Sequence, residues 1–179
     1  MNRNYTIGGA LIVFLLLANA GYSQQFYDNR YWLGLGAGRT SQFPSGMMAL
    51  GYEFAHKPTQ LVARYVLNSE VLSDAQPAIR VNEIGMLYGV RAGKFRFSTG
   101  LSGVWGTNRG KFLQSDPDPL LYGSAYYERL TYTTVGIPAE IRFITSTKDV
   151  GVGVTAFGNL NAKRSFVGLN LSLYVGQMK

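Results

Sequence analysis

The chain has 179 residues, with 17 lysines and arginines against 10 aspartates and glutamates, a net charge of +7. It has no cysteine, which excludes disulfides, thiolate metal sites and a lipid-modified cysteine anchor. Only 15% of residues are charged, 13% are aromatic and 22 residues are glycine. A typical soluble domain is about 25% charged, so this balance argues against a charge-coated soluble enzyme and fits a membrane barrel.

Residues 1–20 have the form of a secretory signal peptide. Arg3 supplies the positive start, residues 7–18 are apolar, and Ala18-Asn19-Ala20 fits the small-x-small cleavage rule. Gly21-Tyr22-Ser23 offers a second site, ending at residue 23. The apolar run is shorter than the ~20 residues a spanning helix needs. Loss of Arg3 with the signal leaves +6 (7 − 1) on the single domain 21–179. That charge suits anionic lipid headgroups and equally an ordinary solvated surface.

The rest of the chain alternates with the period of two that belongs to strands. The first strand, about 31–39, sets Tyr31, Leu33, Leu35 and Ala37 against Trp32, Gly34, Gly36 and Gly38. Its Gly34-Leu35-Gly36-Ala37-Gly38 run is not a dinucleotide fingerprint, because Arg39 stands where the third glycine belongs and no helix pattern follows. Residues 40–45 form a loop. A second strand, about 47–56, places Leu50, Tyr52 and Phe54 on its apolar face, and Lys57-Pro58-Thr59 is a tight turn. The third, 60–69, sets Leu61, Ala63, Tyr65 and Leu67 against Val62, Arg64, Val66 and Asn68. After a polar loop with Asp74 and Pro77, residues 80–107 hold two strands of about ten residues joined at Ala92-Gly93-Lys94, a length that crosses a bilayer when tilted.

Residues 106–127 are the longest irregular stretch, and loops of that length are commonly functional. The sixth strand, 128–143, contains Pro138, which removes a ladder hydrogen bond and predicts a bulge or break. The seventh begins at Val150, residues 159–164 form a loop, and the eighth sets Val167, Leu169, Leu171, Leu173 and Val175 against Gly168, Asn170, Ser172 and Tyr174. The fold class that follows is all-β: an eight-stranded antiparallel up-and-down transmembrane β-barrel. Connections after odd strands are longer than those after even strands, as expected when both termini lie in the periplasm. The polar face is rich in glycine and serine, a poor coat for a soluble barrel. Aromatics near strand ends (Tyr31, Tyr52, Phe54, Tyr88, Phe95 and Phe143 at one side, Tyr65 and Trp105 at the other) match interfacial girdles.

The signal peptide, the eight alternating strands and the segment Thr134-Val135-Gly136-Ile137-Pro138 resemble the small outer-membrane β-barrel proteins, especially those of Bacteroidetes-type Gram-negative bacteria. The C-terminal Gly176-Gln177-Met178-Lys179 lacks the terminal aromatic of proteobacterial barrels. The resemblance implies an integral outer-membrane protein, reached by export.

Seven charges fall on the expected lumen face: Glu53, Arg64, Glu83, Arg91, Arg96, Glu140 and Arg142. Buried charges must be paired or hydrated, so Arg–carboxylate networks are expected, with Glu53–Arg64 one adjacent-strand pair. Arg39, Arg109, Lys111, Lys163 and Arg164 form an expected basic rim for lipopolysaccharide phosphates. Loop aromatics Phe112, Tyr122, Tyr126 and Tyr127 suit an extracellular protein or glycan ligand, or packing of the loop on itself. The expected role is structural or surface-binding, carried by the outer loops. A narrow small-solute channel is the alternative, and a lipid A-modifying enzyme ranks third. The one histidine, His56, falls at the periplasmic end beside Lys57-Pro58, away from outer-leaflet lipid A, so no catalytic residue is assigned. Asp116 and Asp118 lack calcium-loop spacing. No metal, cofactor or nucleic acid is expected, and the chain is expected to be a monomer whose partners are outer-membrane lipid and lipopolysaccharide.

Overall fold

The structure is a computed structural model that describes residues 29–71, 73–115 and 125–177. The expected signal peptide, Asp116, Asp118 and Tyr122 lie outside these residues. Nine strands follow in order: β1 (Arg30–Thr40), β2 (Pro44–Glu53), β3 (Thr59–Ser69), β4 (Ala75–Gln76), β5 (Arg80–Ala92), β6 (Phe95–Ser115), β7 (Ala125–Ser146), β8 (Val150–Asn161) and β9 (Phe166–Gly176). All but β4 pair antiparallel with their chain neighbours, and β9 returns to pair with β1. The result is a closed eight-stranded barrel without free sheet edges around the ring. The two-residue β4 lies parallel to the start of β7.

Alternation sorts the side chains as the sequence requires. Outward positions are apolar and bare: Leu171 is 71% exposed, Val135 70% and Leu101 68%. Inward positions carry the arginines, glutamates, asparagines and serines, and they are buried. A soluble barrel would have the opposite arrangement. Outward aromatics meet their neighbours near the strand ends. The Tyr31 ring lies tilted at 4.9 Å from Tyr52, and that of Phe95 at 5.2 Å from Phe143, on the side where β1 begins and β9 ends. Tyr65 and Trp105 lie 6.4 Å apart toward the other end.

Glycines make room for two inward aromatics. A Cβ on Gly51 would stand 2.0 Å from the Trp32 ring, and one on Gly34 would stand 2.7 Å from Tyr174. The glycine run of the first strand therefore serves packing. At the β5–β6 hairpin, Gly93 has φ +60°, the left-handed value that a two-residue turn demands.

Several boundaries differ from expectation. The first outer connection is only 41–43, because Thr40 folds the chain back at once. Its Oγ1 accepts from Phe43 N at 3.0 Å, and its backbone N–H donates to Phe43 O at 2.8 Å. β8 continues to Asn161, whose side chain then accepts from the backbone N–H groups of Lys163 and Arg164 at 3.0 and 2.7 Å. The region 106–127 is mostly ladder: β6 and β7 remain paired out to Ser115–Ala125, with irregularities around Phe112. Pro138 causes no bulge. Regular β6–β7 pairs stop at Thr99–Ala139 and resume at Ser102–Gly136 in the same register, and β7 keeps its register with β8.

Candidate functional site

The lumen is filled in layers. One apolar cluster contains Trp32, Ala49, Val62, Leu87, Ile144 and Tyr174. A second contains Met47, Val66, Val81, Val104, Phe157 and Phe166. Between them lie four charges. Arg64 Nη2 donates to Glu83 Oε1 at 2.6 Å, and its Nη1 to Glu140 Oε2 at 3.1 Å. Arg142 approaches Glu140 with two nitrogens, Nε at 2.7 Å and Nη2 at 2.8 Å. The guanidinium of Arg142 sits 4.9 Å from the Trp32 ring, and that of Arg64 5.8 Å from Phe157. Each arginine is thus tied to one apolar cluster while its donors face carboxylates. Two positive and two negative charges cancel in a layer that excludes water, the condition under which burial of ions is tolerated.

A second ion cluster lies nearer the termini. Glu53 accepts from Arg96 Nε at 2.7 Å through Oε1, and from Arg91 Nη1 at 2.8 Å through Oε2. The expected Glu53–Arg64 pair does not form. In the β2–β3 ladder Glu53 faces Gln60, whereas Arg64 faces Ala49. Four residues separate these positions, about 13 Å of strand at ~3.3 Å per residue, beyond the reach of the two side chains. All seven expected lumen charges do face inward, but Arg64 pairs with Glu83 on β5, its other ladder neighbour, and with Glu140 on β7, while Glu53 on β2 takes Arg91 from β5 and Arg96 from β6. Neutral groups on the same face escaped notice: Gln60 donates to Ser98 Oγ at 2.8 Å, and Asn159 to Ser102 Oγ at 2.7 Å. The parity of Gln60 with Arg64 was the available signal.

The expected basic rim divides in two. Arg109 is a structural clamp. It ion-pairs with Glu70, donates to Ser73 Oγ at 2.6 Å and Ala75 O at 2.8 Å, and donates from Nε to Pro77 O at 3.0 Å. It holds the 70–79 connection, which leaves β3 and pairs through β4 with β7, a strand separated from β3 in the sheet by β5 and β6. Arg164 donates to Asn108 Oδ1 at 2.5 Å and Gln42 Oε1 at 2.8 Å, with its guanidinium 5.1 Å from the Phe43 ring. It ties the 41–43 and 162–165 connections to β6. Arg39, Lys111 and Lys163 stay exposed. Of the loop aromatics, Phe112 packs edge-on against Tyr127 at 5.5 Å, and Arg109 lies 5.9 Å from the same Tyr127 ring.

The opposite mouth is an open cavity of about 900 Å³, lined by residues that include Arg30, Glu53, Lys57, Arg91, Lys94 and Arg96. His56 also lines it, in the turn between β2 and β3. Ile144, a member of the first apolar cluster, forms part of its wall.

No family model matches the chain, and no curated protein matches it. The narrower Bacteroidetes-type family expected from the sequence therefore gains no support from a family match. Among solved structures the fold is similar to the N-terminal β-barrel domain of Pseudomonas aeruginosa OprF, with TM-score 0.51 and 12% identity over 83% of this chain and 98% of that one. It also matches the Yersinia pestis outer membrane protein Ail (TM-score 0.49, 8% identity, 83% and 99% covered) and Neisserial surface protein A (0.39, 13%, 83% and 94%). At 12% identity the OprF likeness is one of fold, that of a closed eight-stranded antiparallel barrel.

Proposed function

We propose that this chain is an integral outer-membrane β-barrel with a plugged lumen, whose role is structural or surface-binding and is carried by the outer connections. The observation that carries this reading is the pairing of a bare apolar outer face with a charge-neutral ion layer set between two apolar clusters in the lumen. Apolar belts bounded by aromatic rings match a bilayer. A water path would need hydrated charges, whereas Arg64, Glu83, Glu140 and Arg142 are spent on one another between apolar layers. That weighs against the channel alternative. A lipid A-modifying activity gains no residue, since His56 sits at the mouth opposite the long β6–β7 hairpin.

The surface role belongs to that hairpin and its surroundings. Phe112 and Leu113 are exposed, and Lys111 and Lys163 stand near the same end. Lipopolysaccharide phosphates fit Arg39, Lys111 and Lys163, while Arg109 and Arg164 hold the loops that present them. An extracellular protein or glycan would meet the exposed Phe112 and Leu113. The protein acts as a monomer, without cofactor or nucleic acid.

The absence of cysteine makes orientation testable. Single Lys163→Cys and Lys94→Cys variants are exposed to a membrane-impermeant maleimide on intact cells. Lys163→Cys is expected to react at once, and Lys94→Cys only after the outer membrane is permeabilised. Equal labelling of the two, or the reverse order, would sink the proposed orientation.

A further inference from the structure

The cavity at the turn end has a composition that a mere plug does not need. Five cations line it, Arg30, Lys57, Arg91, Lys94 and Arg96, against one carboxylate, Glu53. Five less one leaves a surplus of four positive charges in a concave space of about 900 Å³, within the ~300–1,000 Å³ range of small-molecule sites. We infer that this cup binds a small multivalent oxyanion carrying two or more phosphate or carboxylate groups.

The arginines are built in rather than left loose. Glu53 holds both of them, one on each oxygen. Arg96 is only 3% exposed. Among the described residues it donates a single hydrogen bond, from Nε, so its two terminal nitrogens keep their donors. Arg91 likewise commits one nitrogen, Nη1. A common carboxylate thus fixes two planar forks side by side, and such forks match phosphate and carboxylate oxygens two at a time. Lys57 and Lys94 flank them from separate turns, adding point charges around the mouth. The wall at Ile144 joins a buried apolar cluster, and a low-dielectric wall concentrates the field of the cations. One monovalent anion would leave most of that surplus uncompensated. A ligand with several negative groups answers the fixed arginines and the flanking lysines together.

The side of the membrane on which the cup opens rests on the proposed orientation, which places it in the periplasm. The binding itself does not, because it can be measured on the folded chain in zwitterionic detergent micelles, where neither side exists. Inorganic tripolyphosphate is titrated by calorimetry at physiological salt. Saturable binding is expected, weakened about tenfold or more (about 1.4 kcal/mol per tenfold) in Lys57→Gln/Lys94→Gln. Both lysines lie outside the ladders, so the barrel is expected to fold unchanged. Lys111→Gln/Lys163→Gln at the far rim is expected to bind like wild type. No binding, or equal weakening in the two double variants, would overturn the inference. The same oxyanion chemistry can come from a soluble solute or a lipid headgroup. Micelles doped with phosphatidylglycerol that compete with tripolyphosphate identify a headgroup, and an unaltered isotherm identifies a soluble anion.

Discussion

Replacing Arg64 with alanine is expected to destabilise the barrel by about 3–5 kcal/mol, the cost of leaving a buried charge without its partner. Arg64 is 1% exposed and is the only ion-pair partner of Glu83 among the described residues. Without it, Glu83 is left in a dry layer with no guanidinium partner, whereas Glu140 still has Arg142. The second substitution Glu83→Gln should therefore matter. In Arg64→Met/Glu83→Gln the remaining Glu140–Arg142 pair is neutral, and a hydrophobic side chain fills the place of the guanidinium stem. This double variant is expected to recover most of the loss, since a well-packed apolar replacement of a buried ion pair is often near neutral. Urea unfolding in lipid vesicles, followed by heat-dependent gel mobility, measures both. A loss below about 1 kcal/mol for Arg64→Ala, the range of exposed pairs, would mean that water reaches the network and the lumen is not sealed.

Leu171→Arg is expected to cost about 2–4 kcal/mol in vesicles, the penalty of a charge on the lipid face at the bilayer midplane. Leu171 lies in the middle of β9, opposite Ala37 on one side and Val154 on the other, and its side chain points away from the lumen. In a soluble barrel the same change at a 71% exposed position would fall within about 0.5 kcal/mol. The two environments thus predict different outcomes for one residue. A near-zero effect in lipid would reverse the assignment of the outer face.

Within the ring, strand faces were legible because each residue there sees either apolar surroundings or the packed lumen. Val62, Arg64 and Val66 share a parity with Gln60 and Asn68, and that parity held in space. Legibility failed where the two faces see similar surroundings. Residues 109–115 and 125–127 continue β6 and β7 without apolar alternation, because a hairpin that runs past the ring lacks the contrast of lipid and lumen faces while its backbone bonds persist. Ion partners were also beyond the sequence. Which lumen charges meet depends on barrel closure and strand stagger, which bring Arg64 of β3 to Glu140 of β7, 76 positions away. At the rim, composition exposed the cations but not their duties. Arg109 and Arg164 have internal partners on the neighbouring connections, and nothing local in their sequence distinguishes them from Lys111 or Lys163.

The central claim is that an inserted barrel has a closed interior. Planar-bilayer recording of the mature chain tests it most directly, with heat-dependent gel mobility on the same preparation showing that the protein has folded into lipid. The layered lumen predicts inserted protein that passes no steady ion current. Regular single-channel steps from the inserted wild type would contradict it, and would mean that the apolar layers at Trp32 and Phe157 do not seal the barrel.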